Sequence, residues 1–396
     1  MSPSRPAAFL AGFLLLATFS GATIGMAKIV TTLYAIEIGA DPWQLGVIAA
    51  MESLGMVLLT LPAGFVIARY GARRVYCLAS LGPLLLNLAI PLFGGWAWLA
   101  AARLLIGLCI PFRIVAMNSA FLRQLPRIGN DKAGWYRGAL TLGMGLLGPW
   151  LGNALGGSLG FGVAFVAIGL CFGLMAFYGL GFWNREEDAS VGAVGAGDPF
   201  AQVRAMLAHA EVAESCLIEL LSNATGALFG TFIVLLALEV AGLSQAQAVS
   251  LVMIQGLAAV LGLFGLGHLV ERCGRRLAYL ASLITALLGL GLLGRAHDYG
   301  WLAAGGVLLS TAAALAHLVN MAQLGEHPED KSKLSGLFNL AGMLGGLCGA
   351  LLGGTISQLV GLENLFLAWI PVLSLGVLAC GWYRLRRPPP LVALEP

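Results

Sequence analysis

Charge is spaced along this chain at intervals close to one membrane crossing. Pro6–Ala27, Val75–Ala102, Tyr299–Gly325, Leu334–Leu362 and Asn364–Tyr383 contain no Asp, Glu, Lys or Arg, and a helix needs about 20 apolar residues to cross the hydrocarbon core. Gly138–Asn184 is uncharged over 47 residues, enough for two crossings around Gly156–Gly162. Open strands would leave backbone N–H and C=O groups unpaired in lipid, so the runs are read as helices. The pattern predicts twelve, at 7–35, 43–68, 75–94, 96–122, 135–157, 160–183, 211–238, 245–270, 277–295, 299–323, 333–360 and 362–384. The first apolar stretch exceeds a signal-peptide core and eleven further spans follow, so it is expected to stay in the mature protein.

Composition agrees with the pattern. Hydrophobic residues make up 59% and charged residues 10% of the 396 positions, against roughly 25% charged residues in soluble domains. The fold class is therefore an all-α polytopic membrane protein. Of the 22 Lys and Arg, only Arg295 falls on the outer side of an N-terminus-inside topology, and Lys28, Arg103 and Arg113 fall within helices. The others, including Arg5, Arg69, Arg73, Arg74, Arg123, Arg127, Arg272, Arg275, Arg276, Lys331 and Arg387, fall inside. The positive-inside rule thus places both termini in the cytoplasm, at a cytoplasmic (inner) membrane. The net charge of +3 reflects topology, so no nucleic-acid partner is expected. Seven cysteines give neither a disulfide framework nor a CxxC metal spacing.

Charge gathers at "GFVIARYGARR" (64–74) and "GHLVERCGRR" (267–276). Gly64 and Gly267, and Gly71 and Gly274, each stand 203 positions apart. Each stretch lies in a short loop after an even-numbered helix. The repeat predicts two six-helix halves, residues 1–184 and 211–396, joined by a linker over 185–210 that opens polar and glycine-rich. A short surface helix is expected within "FAQVRAMLAHAEV" (200–212).

These stretches resemble the signature loop of the major facilitator superfamily, G-x-x-x-(D/E)-R-x-G-R-R. Gly267, Glu271, Arg272, Gly274, Arg275 and Arg276 fit it throughout. The first copy keeps Gly64, Arg69, Gly71 and Arg73 but has Ala68 in place of the acid and Ala72 in place of one basic residue. "RLLIG" (103–107) is similar to the family's R-x-x-x-G element. "GPWLGNALGG" (148–157) is similar to the glycine–proline motif of its antiporters, with Met144 and Asn153 where glycine is usual. The resemblance spans essentially the whole chain. It implies two pseudo-symmetric six-helix bundles working by alternating access, with the repeated loop as a gate and Glu271, Arg272 and Arg275 as its latch. It also implies a central cavity lined by helices 1, 4, 7 and 10.

Ionisable side chains within spans are costly and mark function. On the helices named by the resemblance they are Lys28, Arg103, Arg113, Glu219 and His317, with the amides Asn223 and Asn320. At 1.5 Å per residue, Lys28, Glu52 and Arg103 lie roughly 10–14 Å below the outer surface, and Arg113, Glu219 and His317 roughly 12–15 Å from the inner one. In the outer layer Glu52 can pair with Lys28 or Arg103, and the ammonium of Lys28 suits a substrate carboxylate or phosphate. In the inner layer Glu219 and Asn223 share a helix face. Glu219 is the expected proton carrier, with Arg113, carried inward by a kink at Pro111, as the competing charge. His317 and Glu52 share the coupling role, and Lys28, Arg103, Arg113, Asn223, His317 and Asn320 form the expected substrate contacts.

Other chemistries find no support. The His317/Met321 spacing has no partner on helix 7, so no metal is expected. There is no phosphate-binding loop, nucleophile–base pair or HExxH motif, so neither ATP drive, a cofactor nor an enzyme is indicated. The reading is a monomeric, proton-coupled secondary transporter of a small anionic or zwitterionic organic solute, inclined to efflux by antiport. The alternatives are proton-symport import of an organic acid, metal chelate or vitamin-like anion, and a non-transporting membrane scaffold.

Overall fold

The computed structural model describes residues 6–128, 135–182, 199–295, 298–327 and 331–386. The first fourteen positions of the predicted linker, 185–198, therefore lie outside the described residues, as do Arg5, Lys132 and Arg387. Eleven of the described helices are long and apolar enough to cross a membrane. In chain order the membrane elements are α1 (Pro6–Glu37), α2 (Pro42–Tyr70), α3 (Ala72–Ala89), α4 (Trp96–Ile128), the composite α5 (135–159), α6 (Phe161–Phe182), α7 (Ala210–Glu239), α8 (Gln245–Gly265), α9 (Arg275–Leu293), α10 (Tyr299–Glu326), α11 (Lys331–Val360) and α12 (Leu365–Arg386). The expected surface helix is Pro199–Leu207.

The element α5 departs from the expected single α-helix. It runs Trp135–Leu142, then five residues of π-helix at Gly143–Leu147, then Gly148–Leu159. The cause is the packing of glycines against α1. A Cβ on Gly143 would meet the carbonyl of Thr18, and one on Gly21 the carbonyl of Leu140, so the two backbones touch with no side chain between them. A wide turn keeps that contact in register past Met144, which sits against Gly25.

The same helix pairing recurs in the second half. Gly345 and Gly349 of α11 lie on the carbonyls of Leu220 and Ala224 of α7, as α5 lies on α1. Small residues permit such approaches where dispersion, not water, drives helix association. The 203-residue offset extends to the helix ends. Asp41 and Gln44 form a reciprocal capping box at the start of α2, and Ser244 and Gln247 form one at the start of α8. Each satisfies two otherwise unpaired N–H groups.

The signature stretches are more helical than a loop. Gly64 lies inside α2, which continues to Tyr70, and only Gly71 separates it from α3. In the second copy α8 stops at Gly265, short of the expected 270, and the short helix Gly267–Cys273 leads to Gly274. Gly71 and Gly274 take φ values of +85° and +75°, open to glycine but strained for other residues. Gly64 and Gly267 have nothing within reach of a Cβ, so no close helix approach accounts for them.

The halves meet along two seams. On one, Gly46 of α2 packs on Ala350 and Gly354 of α11, and Thr60 donates to the sulfur of Met343 at 3.2 Å. On the other, Gly145 of α5 faces Gly256 of α8, and Gln245 donates to Asn153 at 2.9 Å. Outward-facing Leu15, Leu78, Leu85, Phe177 and Leu375 are each more than 60% exposed, a surface suited to acyl chains.

Candidate functional site

Between the seams lies a cavity of about 720 Å³ whose wall draws on both halves. Lys28 and Thr31 of α1, Glu52 of α2 and Arg103 of α4 line it from the first half. Glu219 and Asn223 of α7, Gln255 of α8, Tyr279 of α9 and His317 of α10 line it from the second.

On the first-half wall, Arg103 and Glu52 form a buried ion pair, at 2% and 7% exposure. Backbone packing puts them together. A Cβ on Gly107 would strike the carbonyl of Glu52, so α4 can lie against α2 only with glycine there, and Arg103 sits about one turn earlier on the same helix. The glycine of "RLLIG" thus brings its arginine to its acid. The second half repeats the contact without charge. At the equivalent positions, 203 residues on, the hydroxyl of Ser310 donates to the carbonyl of Gln255 at 3.0 Å. Lys28 is exposed to the cavity, and it stands within electrostatic reach of Arg103.

On the second-half wall the carboxylate of Glu219 gathers three side chains. Asn223 donates to it at 3.0 Å and Asn320 at 3.3 Å, while Nδ1 of His317 stands 3.4 Å from both oxygens. Asn223 also donates to the carbonyl of Glu219 at 2.9 Å, which fixes its rotamer. Asn320 is fully buried behind the carboxylate and accepts from the hydroxyl of Tyr279 at 2.8 Å. It orients Glu219 rather than lining the cavity. The imidazole of His317 packs against the ring of Phe338, centroids 5.5 Å apart.

Arg113 corrects the inner layer expected from depth alone. Its guanidinium lies inside the first bundle, donating to Ser80 at 2.9 Å and Tyr76 at 3.3 Å and contacting the sulfur of Met175 at 3.2 Å. The rings of Phe172 and Tyr76 lie 4.5 and 5.2 Å from it. It does not line the cavity or touch Glu219. The reason is azimuth. Ten residues on a helix turn a side chain roughly 80° away from a whole number of turns, so Arg113 faces α3 and α6 while Arg103 faces α2. The helix α4 is continuous through Pro111.

Of the expected gate residues, Arg275 pairs with Glu326 at the end of α10, both side chains substantially exposed. Arg69 lies over the ring of Tyr70 at 5.4 Å. Arg272 is exposed and Arg73 half-buried, and the side chain of Glu271 lies outside the described residues. Among the described residues, Arg275 is thus paired with Glu326 on this face. Sequence reasoning missed Tyr279, Gln255 and Thr31. Each is a polar group within an apolar span, which was the available signal.

Among the described residues, eleven membrane-length helices and the broken α5, packed as two bundles around a largely apolar cavity with buried ionisable groups on both walls, define a multi-pass membrane carrier of small molecules. The sequence model for the Major Facilitator Superfamily matches residues 8–265 and 215–396, and the chain belongs to that family of transporters. No curated protein sequence matches significantly. Among solved structures, a point mutant of the nucleoside transporter NupG aligns with a TM-score of 0.77 at 13% identity, covering 94% of this chain and 99% of that one. A bacterial homolog of the human lysosomal transporter Spinster, inward-facing and unoccupied, aligns with a TM-score of 0.78 at 14% identity, covering 98% and 100%. The same homolog, inward-facing and occupied, gives 0.77 at 15% identity with the same coverage. These likenesses speak to the fold.

Proposed function

We propose that the protein is a proton-coupled transporter of a small anionic or zwitterionic organic solute, working as a monomer in the cytoplasmic membrane with both termini inside. Residues 1–184 and 211–396 rock about the cavity, with 185–210 as their connection. The observation that carries the reading is the Glu219 cluster on the cavity wall. A buried carboxylate with two amide donors and a histidine is held in fixed geometry on the wall, where it faces a cationic group as an anion and takes up a proton once those donors turn away.

Competition at that carboxylate gives the coupling. Glu219 accepts either a proton or a hydrogen-bond donor of the solute, and His317, 3.4 Å away, relays the proton. A site that holds one or the other makes release of the first a condition for binding the second, which is antiport. The direction assigned is efflux, in keeping with the glycine–proline segment Gly148–Gly157 of α5.

The test is transport in proteoliposomes under an imposed pH gradient. Glu219→Gln keeps the hydrogen-bonding shape but carries no titrating proton. It is expected to retain solute exchange at equilibrium while losing gradient-driven accumulation. Undiminished pumping by this variant removes Glu219 from the mechanism. Movement of solute with the proton rather than against it replaces antiport with symport import.

A further inference from the structure

Two polar groups beside Lys28 are buried without a protein partner. Threonines within helices commonly satisfy their hydroxyl on the carbonyl four residues back, as Thr23, Thr32, Thr60 and Thr225 do here. Thr31 Oγ1 does not, and it is buried with no hydrogen bond to any group. Arg103 gives one nitrogen to Glu52, while its Nη1 is likewise buried and unpaired. Both residues belong to the cavity wall. Lys28 and Thr31 are three residues apart on α1 and so share a face. Buried donors left unmade are rare in folded proteins, and a pair of them flanking a cavity-facing ammonium points to an acceptor that arrives from outside the chain; both atoms are closed off in this structure, so the acceptor meets them through a turn of the Thr31 and Arg103 side chains toward the cavity.

We infer that Lys28, Thr31 and Nη1 of Arg103 form a subsite for a carboxylate on the transported solute. This rests on the transport reading above and narrows it. The charge balance selects the headgroup. Glu52 neutralises Arg103, so the subsite carries one net positive charge, contributed by Lys28. A monoanion cancels that charge. A phosphate monoester, near −2 at neutral pH, would bury an excess negative charge beside Glu52 and is disfavoured. The number and kind of donors agree. A carboxylate has two oxygens, each able to accept more than once, and here it meets an ammonium, a hydroxyl and a guanidinium N–H. The Glu219 cluster on the facing wall then takes the donor end of the same molecule.

The experiment uses the full-length protein. Binding is followed by thermal shift in detergent for hippurate, indole-3-acetate, phenylalanine and biotin, each beside its primary amide, with uridine and uridine monophosphate as neutral and phosphate-bearing probes. The same probes, radiolabelled, are then offered to proteoliposomes under a pH gradient. The expected result is that at least one carboxylate binds 10-fold or more tighter than its amide. Lys28→Met and Thr31→Val should each erase that preference, and Lys28→Arg should restore most of it. Thr31→Val is isosteric and carries no folding risk from lost charge, so it keeps the test decisive if a Lys28 variant fails to fold. Equal binding of acids and amides, tighter binding of the monophosphate, or an unchanged preference in Thr31→Val overturns the subsite. If uridine or an amide is still moved by the gradient, the subsite and the anionic solute class fall while proton-coupled transport stands. If no probe of any charge is moved, the transport reading falls with it.

Discussion

Removing the charge of Glu52 tests how the first-half wall is held together. Glu52 and Arg103 are 7% and 2% exposed and in direct contact. In Glu52→Gln the shape is kept, but Arg103 is left with no counter-ion, and its Nη1 already lacks a protein partner. Breaking a buried pair from one side costs about 3–5 kcal/mol, because the remaining charge stays desolvated. Removing both charges at once is different, since neutral groups of similar volume often replace a buried pair at little or no cost. The second half shows that such a wall packs without charge, with Gln255 at the place equivalent to Glu52 and Ser310 at that of Gly107. Glu52→Gln/Arg103→Met is therefore expected to recover about 2–3 kcal/mol relative to the sum of the single variants. Reversible unfolding in mixed SDS–detergent micelles measures this as a double-mutant cycle. Trp43 and Trp96, edge to face at 5.9 Å where α2 and α4 begin, provide a fluorescent reporter of that interface. Strictly additive losses would refute the argument that the two charges are worth keeping only together.

Other substitutions separate packing from transport. Gly107→Val drives a side chain into the carbonyl of Glu52 and should abolish folded protein on size-exclusion chromatography, whereas Gly265→Ala, with open space around it, should leave yield unchanged. Arg113→Met loses the Ser80 and Tyr76 hydrogen bonds but also a buried cation with no carboxylate paired to it among the described residues, so stability should fall by no more than about 2 kcal/mol. Transport per folded molecule should be retained; its loss would return Arg113 to the coupling site. Arg275→Gln breaks an exposed pair and should cost less than about 1 kcal/mol in unfolding measurements. Gly230→Trp projects into the cavity from a position with no neighbour in reach, and should block solute movement while leaving the melting temperature nearly unchanged.

The spans, the repeat and the family were legible because each depends on spacing along the chain. The site was legible to the extent that spacing fixes depth. Lys28, Glu52, Arg103, Glu219 and His317 all reach the cavity wall, and the Glu219/Asn223 contact follows from their separation by one turn. Azimuth was the weak point. Arg113 shares its depth with Glu219 but not its direction, and only the packing of α4 against α3 and α6 reveals this. The π-helical turn of α5 was hidden for a related reason, since it answers to the carbonyls of α1, a distant part of the chain. The capping boxes at Asp41 and Ser244 were readable in principle, as polar residues repeated at the same offset just ahead of apolar runs. The orphaned hydroxyl of Thr31 was not readable, because a missing hydrogen bond leaves no trace in composition.

Gly71 and Gly274 carry a mechanical consequence. One residue is all that stands between α2 and α3, and one residue links the short helix 267–273 to α9. A joint so short stores no spare length, so the facing ends of the two rods must travel together, like boards on a single hinge pin. Any bending at the joint changes the angle between the rods and leaves the gap at their ends unchanged. Spin labels on α2 and α3 flanking Gly71 should therefore hold a constant spacing through every stage of turnover, while labels set across the α2/α11 seam should not.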